Sequence, residues 1–476
     1  MAPYPLGDEL RRLGRDLAGD VVLPGDEGWD AARQAWNLAV EQRPVAVVLP
    51  ESAHDIVATV AFAAGNGLRI AFNAGGHNTG PIDWSRDALL LKTERMTGIE
   101  IDAQARRARV EAGVLSKPLA QAAGEHGLCY LSGTSPDVGV LGYTLGGGYS
   151  WMVRKYGLAA NGVLAVELVT ADGRQVRADK DHEPDLFWAV RGGGGNFGAV
   201  TAIELALYPV PEIYAGCFFW PIDRATEILK AWREWVETVP DECESIGRML
   251  QLPDAPFLPD HLRGRSFVLI EPACIGSESD GSALVQPFRD LEPEFDTVAM
   301  MATSDLSLVN MDPDFPLPYA GEGILLDALP PTAIDTMVET FVGSPLLHVE
   351  VRHLGGALRS DSADHGCLAR IDQPFLLFTF GLAADADMKA AVEHSVQHLI
   401  ESFAPWDSGR RYLNFVESRV DPRLLFPEES YDRLREIRAR YDPRGLFVAN
   451  HSIPPLASGR ARPSEMPVSM SDQDAS

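Results

Sequence analysis

The sequence predicts an α+β protein built from unlike parts, and three observations predict it. Up to about residue 210, short β-branched apolar runs alternate with helical segments and glycine-rich loops. Beyond residue 210 the glycine clusters stop. Longer apolar runs then alternate with amphipathic helical segments, the pattern of an antiparallel sheet backed by helices. From Trp406 the texture changes again, to a short closing segment carrying Tyr412-Leu413-Asn414 and Tyr441-Asp442-Pro443. With 476 residues, 46% hydrophobic and 23% charged, the chain is long enough for two or three domains with real cores.

Taken in order, residues 8–18 and 28–40 read as short helices, and Val45–Leu49 as a strand. Ser52 is placed to cap a helix with Asp55 three residues on, Ile56, Val57, Val60, Ala61 and Ala64 form its apolar face, and Gly65-Asn66-Gly67 stops it. Leu68–Phe72 is the next strand, so a β-α-β unit delivers the chain to Gly75-Gly76-His77. Strands follow at 89–92, 98–102 and 107–111, then a helix over 116–125. After a glycine-rich stretch, 132–162, a hairpin pairs 164–170 with 175–178, a short helix covers 186–190 and a strand covers 200–208. In the second part, strands are expected at 213–220, 246–252, 266–275, 297–303, 346–354 and 374–382. Helices are expected at 223–238, 281–290, 331–341, 386–403 and 428–440. Residues 457–476 are polar, with serine and proline, and read as a disordered tail.

Composition narrows the function. A net charge of −27 argues against a nucleic-acid partner, whose phosphates call for a basic patch; the acidity reads as solubility. No apolar run reaches the ~18 residues of a membrane span, and the N-terminus lacks a basic segment followed by an apolar one. A cytoplasmic location is the expectation. The five cysteines, 129, 217, 243, 274 and 367, are scattered and never in a CxxC pair, which predicts reduced thiols and no metal site.

The glycines carry the chemistry. Phosphates bind where several backbone N–H groups converge, and glycine permits such conformations. The phosphate-loop pattern GxxxxGK[ST] is absent. Gly193-Gly194-Gly195-Asn196-Phe197-Gly198 has GxGxxG spacing, but the residues after it read as a strand, whereas a Rossmann fingerprint opens a helix. The stronger constellation runs from Ser132 to Gly148, two loops that can wrap a diphosphate without a cationic side chain. Tight turns in a sheet are the alternative reading. For Gly75-Gly76-His77 the alternative is a turn followed by a surface histidine.

In this order and spacing the motifs resemble those of FAD-linked oxidases of the vanillyl-alcohol oxidase/p-cresol methylhydroxylase (PCMH) fold, within the berberine-bridge-enzyme-like group and most like its members with a single histidyl link. The resemblance spans nearly the whole chain. It rests on Gly75-Gly76-His77, on Ser135-Pro136-Asp137-Val138-Gly139 through Gly146-Gly147-Gly148, and on Asp185 through Gly198. It continues in His353-Leu354-Gly355-Gly356-Ala357, Tyr412-Leu413-Asn414 and Tyr441 through Pro455. It implies a PCMH-type FAD-binding domain of two subdomains over 1–210, with its core from about 40, and an antiparallel-sheet substrate domain over 211–405. Segment 406–456 returns to the FAD domain.

The resemblance also implies site residues. His77 matches the histidine that bonds covalently to the flavin 8α carbon. Ser135 stands where many relatives carry a second-link cysteine, so attachment through His77 alone is expected. Asn73 stands where relatives often carry arginine. FAD contacts are implied for Asn73, Ala74, Gly75, Gly76, His77 and Asn78; for Thr134, Ser135, Pro136, Asp137, Val138 and Gly139; for Gly142, Tyr143, Gly146, Gly147 and Gly148; and for Asn161, Val200, Asn414 and Asn450. Val138 matches the position beside flavin C4a that controls oxygen access, and its small side chain implies an oxidase, with dioxygen as acceptor. Tyr412 matches the tyrosine that alcohol- and sugar-oxidising relatives use as base, with Arg411 or Arg352 as the cation lowering its pKa; a packed strand tyrosine with a hydrogen-bonded hydroxyl is the alternative. Strand alternation puts His348, Glu350 and Arg352 on one face, which makes Glu350 and Arg352 further catalytic candidates and a solvated face the alternative. The 374–380 strand has no carboxylate, against the acid-base arrangement of berberine bridge enzyme itself. The expected activity is oxidation of a C–O or C–N carbon in a small molecule, by a monomer or homodimer. A flavoprotein scaffold for a non-redox cyclisation is the alternative.

Overall fold

The computed structural model describes residues 6–84, 87–255, 260–360 and 362–456. The tail at 457–476 lies outside the described residues. The architecture is α+β, as the sequence predicts, and is organised on three sheets.

The first sheet has the order Asp20–Val22, Ala46–Leu49, Ala88–Lys92, Arg69–Asn73, Phe447–Val448, parallel except for its first pair. Its inner strands are buried on both faces, which is why they read as continuous apolar runs. The helix Ala53–Asn66 begins as its sequence dictates: the Ser52 side chain accepts the Asp55 N–H, and Gly67, at φ +68°, closes the helix in the left-handed region. The second sheet is antiparallel, Ile99–Asp102, Arg107–Glu111, Ala199–Ala206, Val163–Val169, Gln175–Ala178.

The third sheet is the substrate-side platform. Its main path is Phe295–Asp296, Phe218–Pro221, Ser266–Cys274, Cys243–Gln251, His348–His353, Phe375–Leu382, Tyr319–Leu326, antiparallel throughout. Helices Ala225–Trp235, Pro331–Phe341 and Ala386–Ser402 cover one face, with Ile228, Leu229, Trp232, Ile334, Met337 and Leu399 packed on Val349, Val351 and Leu377. The other face is free to meet the first two sheets.

Four expectations differ from the structure. Only Trp29–Ala32 of the 28–40 segment is helical; beyond it the chain is held extended, because Asn37 bonds both the N–H and the C=O of Tyr319. The strand Tyr319–Leu326 escapes sequence reading because Gly321 and Gly323 interrupt its apolar pattern. Both glycines are steric: a Cβ at Gly321 would meet Thr379 O at 2.6 Å, and one at Gly323 would meet Phe415 O at 2.5 Å. The 213–220 run is two strands, broken at Gly216, where a Cβ would meet Thr297 O at 2.6 Å. Finally, Cys243 and Cys274 are not reduced thiols. They stand directly opposite in the ladder and form a disulfide, while Cys129, Cys217 and Cys367 are free and buried.

Candidate active site

A cavity of about 360 Å³ opens where the glycine loops of the first two sheets face the third sheet. One side is made by Asn73–Thr79, Gly133–Ser135, Val138–Tyr143, Gly194, Gly195, Val200 and Asn450. The opposite side is made by Asn310, Asp312, Tyr319, His348, Glu350, Arg352, Phe378, Phe380, Phe415 and Glu417. Among the described residues the glycine side carries no lysine or arginine. A diphosphate held there would depend on backbone N–H groups.

Each glycine loop owes its position to a close approach. A Cβ at Gly75 would meet Gly139 N at 3.0 Å, so the His77 loop and the Val138 loop touch through backbone. Gly76 is left-handed, at φ +87°, and a Cβ there would meet both Asn73 and the backbone N of Trp36. Asn78 donates to Val416 O at 3.0 Å, and Asn450 donates to Asn78 O at 3.5 Å, so both ends of the closing segment bind the His77 loop.

Of the cofactor residues expected from sequence, Asn73–Asn78, Thr134, Ser135, Val138, Gly139, Gly142, Tyr143, Val200, Asn414 and Asn450 line this cavity. Pro136, Asp137, Gly146, Gly147, Gly148 and Asn161 do not line it. For the glycine triplet the reason is packing. A Cβ at Gly146 would meet Asn414 Nδ2 at 2.5 Å, and one at Gly147 would meet Tyr412 at 2.9 Å. The Gly148 N–H donates to Asn414 Oδ1 at 2.9 Å. The triplet therefore seats the Tyr412–Asn414 turn, and that turn in turn presents Asn414. Asp137 lies just behind His77: its Oδ1 is 3.2 Å from His77 Nε2, and the Trp36 indole N–H donates to its Oδ2.

Several buried polar atoms on the cavity wall lack a hydrogen-bond partner among the described residues, including both side-chain polar atoms of Asn73, Asn78 Oδ1, Thr79 Oγ1, Asn310 Oδ1, His348 Nε2 and Glu350 Oε2. Burying such atoms unpaired is costly, so this is a wall built to meet a polar ligand. The glycine loops on one side and the charged wall on the other fit a cofactor with a diphosphate and a ring system. FAD would be held by the His77 and Val138 loops, Asn414 and Asn450.

The catalytic candidates divide. Glu350 and Arg352 face the cavity from strand His348–His353, while Val349 and Val351 enter the core beneath. The charged face is therefore buried, with Glu350 at 0% and Arg352 at 4% exposure. Arg352 Nε donates to Glu350 Oε1 at 2.7 Å, and its guanidinium lies over the rings of Tyr149 and Phe415. Burial, followed by the charge of Arg248, holds the His348 imidazole well below its ordinary pKa, so it is neutral.

Tyr412 is not brought to the cavity. Its ring packs with Tyr149, Leu325, Leu354 and Leu368, and its hydroxyl is buried near Gly147. Burial pushes its phenol far above the ordinary value, with Arg352 only opposing, and Arg411 is committed to Asp407 at 2.8 Å. The aromatic of this turn that does face the cavity is Phe415, which has no hydroxyl. Of this turn, Leu413, Asn414 and Phe415 line the cavity and Tyr412 packs behind them.

Other cavity residues went unread. Trp36 stacks on His77, centroids 4.1 Å apart and planes at 20°. Asp312 accepts from Ser135 Oγ at 2.6 Å and from Asn310 at 2.7 Å, so the serine at the second-link position is engaged across the cavity. Burial, then the charge of Glu322, pushes the Glu417 carboxyl up to about 8. No periodicity marks these residues, because each sits in a loop or at an element end.

Comparison with known proteins defines the class. A family model described as an FAD binding domain matches residues 44–179, and one described as berberine and berberine like matches residues 411–454. (R)-6-hydroxynicotine oxidase from Paenarthrobacter nicotinovorans is 28% identical over 93% of this chain and 98% of its own length. Glucooligosaccharide oxidase from Sarocladium strictum is 27% identical over 90% and 91%. The solved structure of 6-hydroxy-D-nicotine oxidase from Arthrobacter nicotinovorans superposes with a TM-score of 0.79 at 26% identity, covering 92% of this chain and 98% of that one. The fold is also that of Physcomitrella patens BBE-like 1, with a TM-score of 0.82 at 20% identity over 94% and 99%. The chain is an FAD-dependent oxidoreductase with the PCMH-type fold, and it is similar to berberine-bridge-enzyme-like proteins in its FAD binding domain and its closing segment.

Proposed function

We propose that this enzyme is an oxidase, withdrawing hydride from a carbon that bears a hydroxyl or amine group in a small molecule, with dioxygen as the final acceptor and hydrogen peroxide as product. FAD, when bound, supplies the two-electron acceptor. His77 is its covalent anchor, and Ser135 offers only a weakly nucleophilic hydroxyl at the second-link position. The relatives named above as oxidases of a hydroxynicotine and of glucooligosaccharides support the class; they leave open which substrate this chain takes.

The observation that carries the reading is the buried pair Glu350–Arg352. Glu350 spends Oε1 on Arg352 and keeps Oε2 without a partner at the cavity wall. That oxygen is available to take the proton of a substrate hydroxyl or ammonium as hydride leaves the neighbouring carbon. Arg352 fixes the carboxylate in place, and the Tyr149 and Phe415 rings hold the guanidinium. Phe378 and Phe380, with Phe415, exclude water from the same wall. The test is peroxide release against a panel of sugars, alcohols and cyclic amines, followed by stopped-flow flavin reduction with the best substrate. Glu350→Gln lowers the reduction rate by roughly 10²–10⁴-fold if Glu350 is the base. An unchanged rate refutes that role.

A further inference from the structure

We propose that Asp137 is the positioning residue for covalent attachment at His77, acting with Trp36. The inference rests on the reading of His77 as the flavin anchor. For imidazole to attack a carbon it must be neutral and must turn an unprotonated nitrogen toward that carbon, so its other nitrogen must carry the proton and have somewhere to direct it. The structure provides this. His77 Nε2 and Asp137 Oδ1 lie 3.2 Å apart, and among the described residues neither atom has a hydrogen-bond partner, so each is left for the other to engage by a small turn of the ring. Trp36 closes the arrangement from two directions: its indole N–H donates to Asp137 Oδ2, and its ring stacks on the imidazole. The Tyr319 hydroxyl donates to the His77 carbonyl at 3.0 Å and fixes the backbone.

Once Asp137 takes the Nε2 proton as its hydrogen-bond partner, the lone pair of Nδ1 is the nucleophile. This is the carboxylate–histidine logic that fixes a ring tautomer in hydrolases, applied here to bond formation. The bond formed joins Nδ1 to the 8α carbon. The bonds broken are one C–H of the 8-methyl group and the imidazole N–H. Both hydrogens and two electrons pass to the isoalloxazine, and dioxygen then takes them up as hydrogen peroxide.

The test starts from protein made without riboflavin and reconstituted with FAD. The rate of attachment is read as flavin retained in the acid-precipitated pellet, and total binding as flavin that co-elutes under native conditions. Wild type, His77→Ala, Asp137→Asn, Asp137→Glu and Trp36→Phe are compared. With attachment expressed per flavin bound natively, the expected result is no attachment in H77A, attachment slowed at least tenfold in D137N, and partial recovery in D137E. D137N attaching at the wild-type rate overturns the proposal while leaving the anchor intact. Wild type releasing its flavin into the supernatant overturns the anchor, and the proposal with it. If D137N also loses native binding, W36F decides: it keeps the carboxylate but removes its indole donor, and wild-type attachment in W36F counts against the arrangement.

Discussion

Asp442 anchors the closing segment beside the first sheet, and its removal has a calculable cost. It is fully buried, and its two oxygens accept the backbone N–H groups of Leu446 at 2.8 Å and Phe447 at 2.9 Å. It also pairs at 3.0 Å with Arg438, itself 2% exposed, which donates to Phe447 O at 2.7 Å. Together they dock Phe447–Val448 beside Ile70 and Ala71 and so carry Asn450 to the cavity. Asp442→Ala leaves two backbone donors without acceptors, at about 1–3 kcal/mol each, and strands a buried guanidinium. Breaking a buried pair from one side costs about 3–5 kcal/mol, and because the losses share partners they do not add. With an unfolding entropy of about 2 cal/mol/K per residue, such a loss lowers Tm by roughly 3–5 °C in a chain of this length. D442N keeps one acceptor and falls between. Thermal unfolding of the flavin-loaded protein, with native flavin retention in parallel, measures both effects. A shift under 1 °C with flavin binding intact refutes the reasoning.

Further outcomes follow from the same geometry. Tyr412→Phe leaves flavin reduction within about threefold of wild type and changes stability by no more than about 1 kcal/mol, because the hydroxyl lies outside the cavity; a hundredfold loss in stopped-flow reduction restores Tyr412 as base. Gly147→Ala lowers both Tm and flavin retention, since the residue is left-handed at φ +119° and its Cβ would enter the Tyr412 ring; a fully loaded, equally stable variant contradicts this. Burial pushes the Glu244 carboxyl up to about 8, with the Tyr149 hydroxyl hydrogen bond opposing. Its folded value lies above the unfolded one, so between about pH 4.5 and 8 the unfolded chain binds fewer protons and stability falls as pH rises. Glu244→Gln removes that contribution, and the drop in denaturation midpoint from pH 5.5 to 8 becomes shallower; an unchanged slope refutes it.

How far the sequence carries is clear from particular residues. The Ser52–Gly67 helix and the strands around it are written in local chemistry, a cap, an apolar stripe and a left-handed stop, and the structure reproduces them. Glycine spacing located the loops that line the cavity, because close backbone approach leaves glycine little substitute. The helix Val140–Leu145 inside that glycine-rich run was not read, since six residues are too few for periodicity to register. Strand alternation placed Glu350 and Arg352 together on a face; that this face is buried follows only from tertiary packing, which the alternation of charges does not encode. Tyr412 is the converse case: motif position alone pointed to it, and turn geometry presents Phe415 instead. Trp36, Asp312 and Glu417 reach the cavity from three segments far apart in sequence, a proximity no local pattern carries.

The central claim is that FAD is bonded to His77 and to no second side chain. Tryptic mapping of acid-denatured wild-type protein by mass spectrometry tests it most directly. The expected result is the flavin adduct on the peptide 70–86, which contains His77, and an unmodified peptide spanning Ser135. Flavin recovered free in the supernatant, or found on the Ser135 peptide, contradicts it.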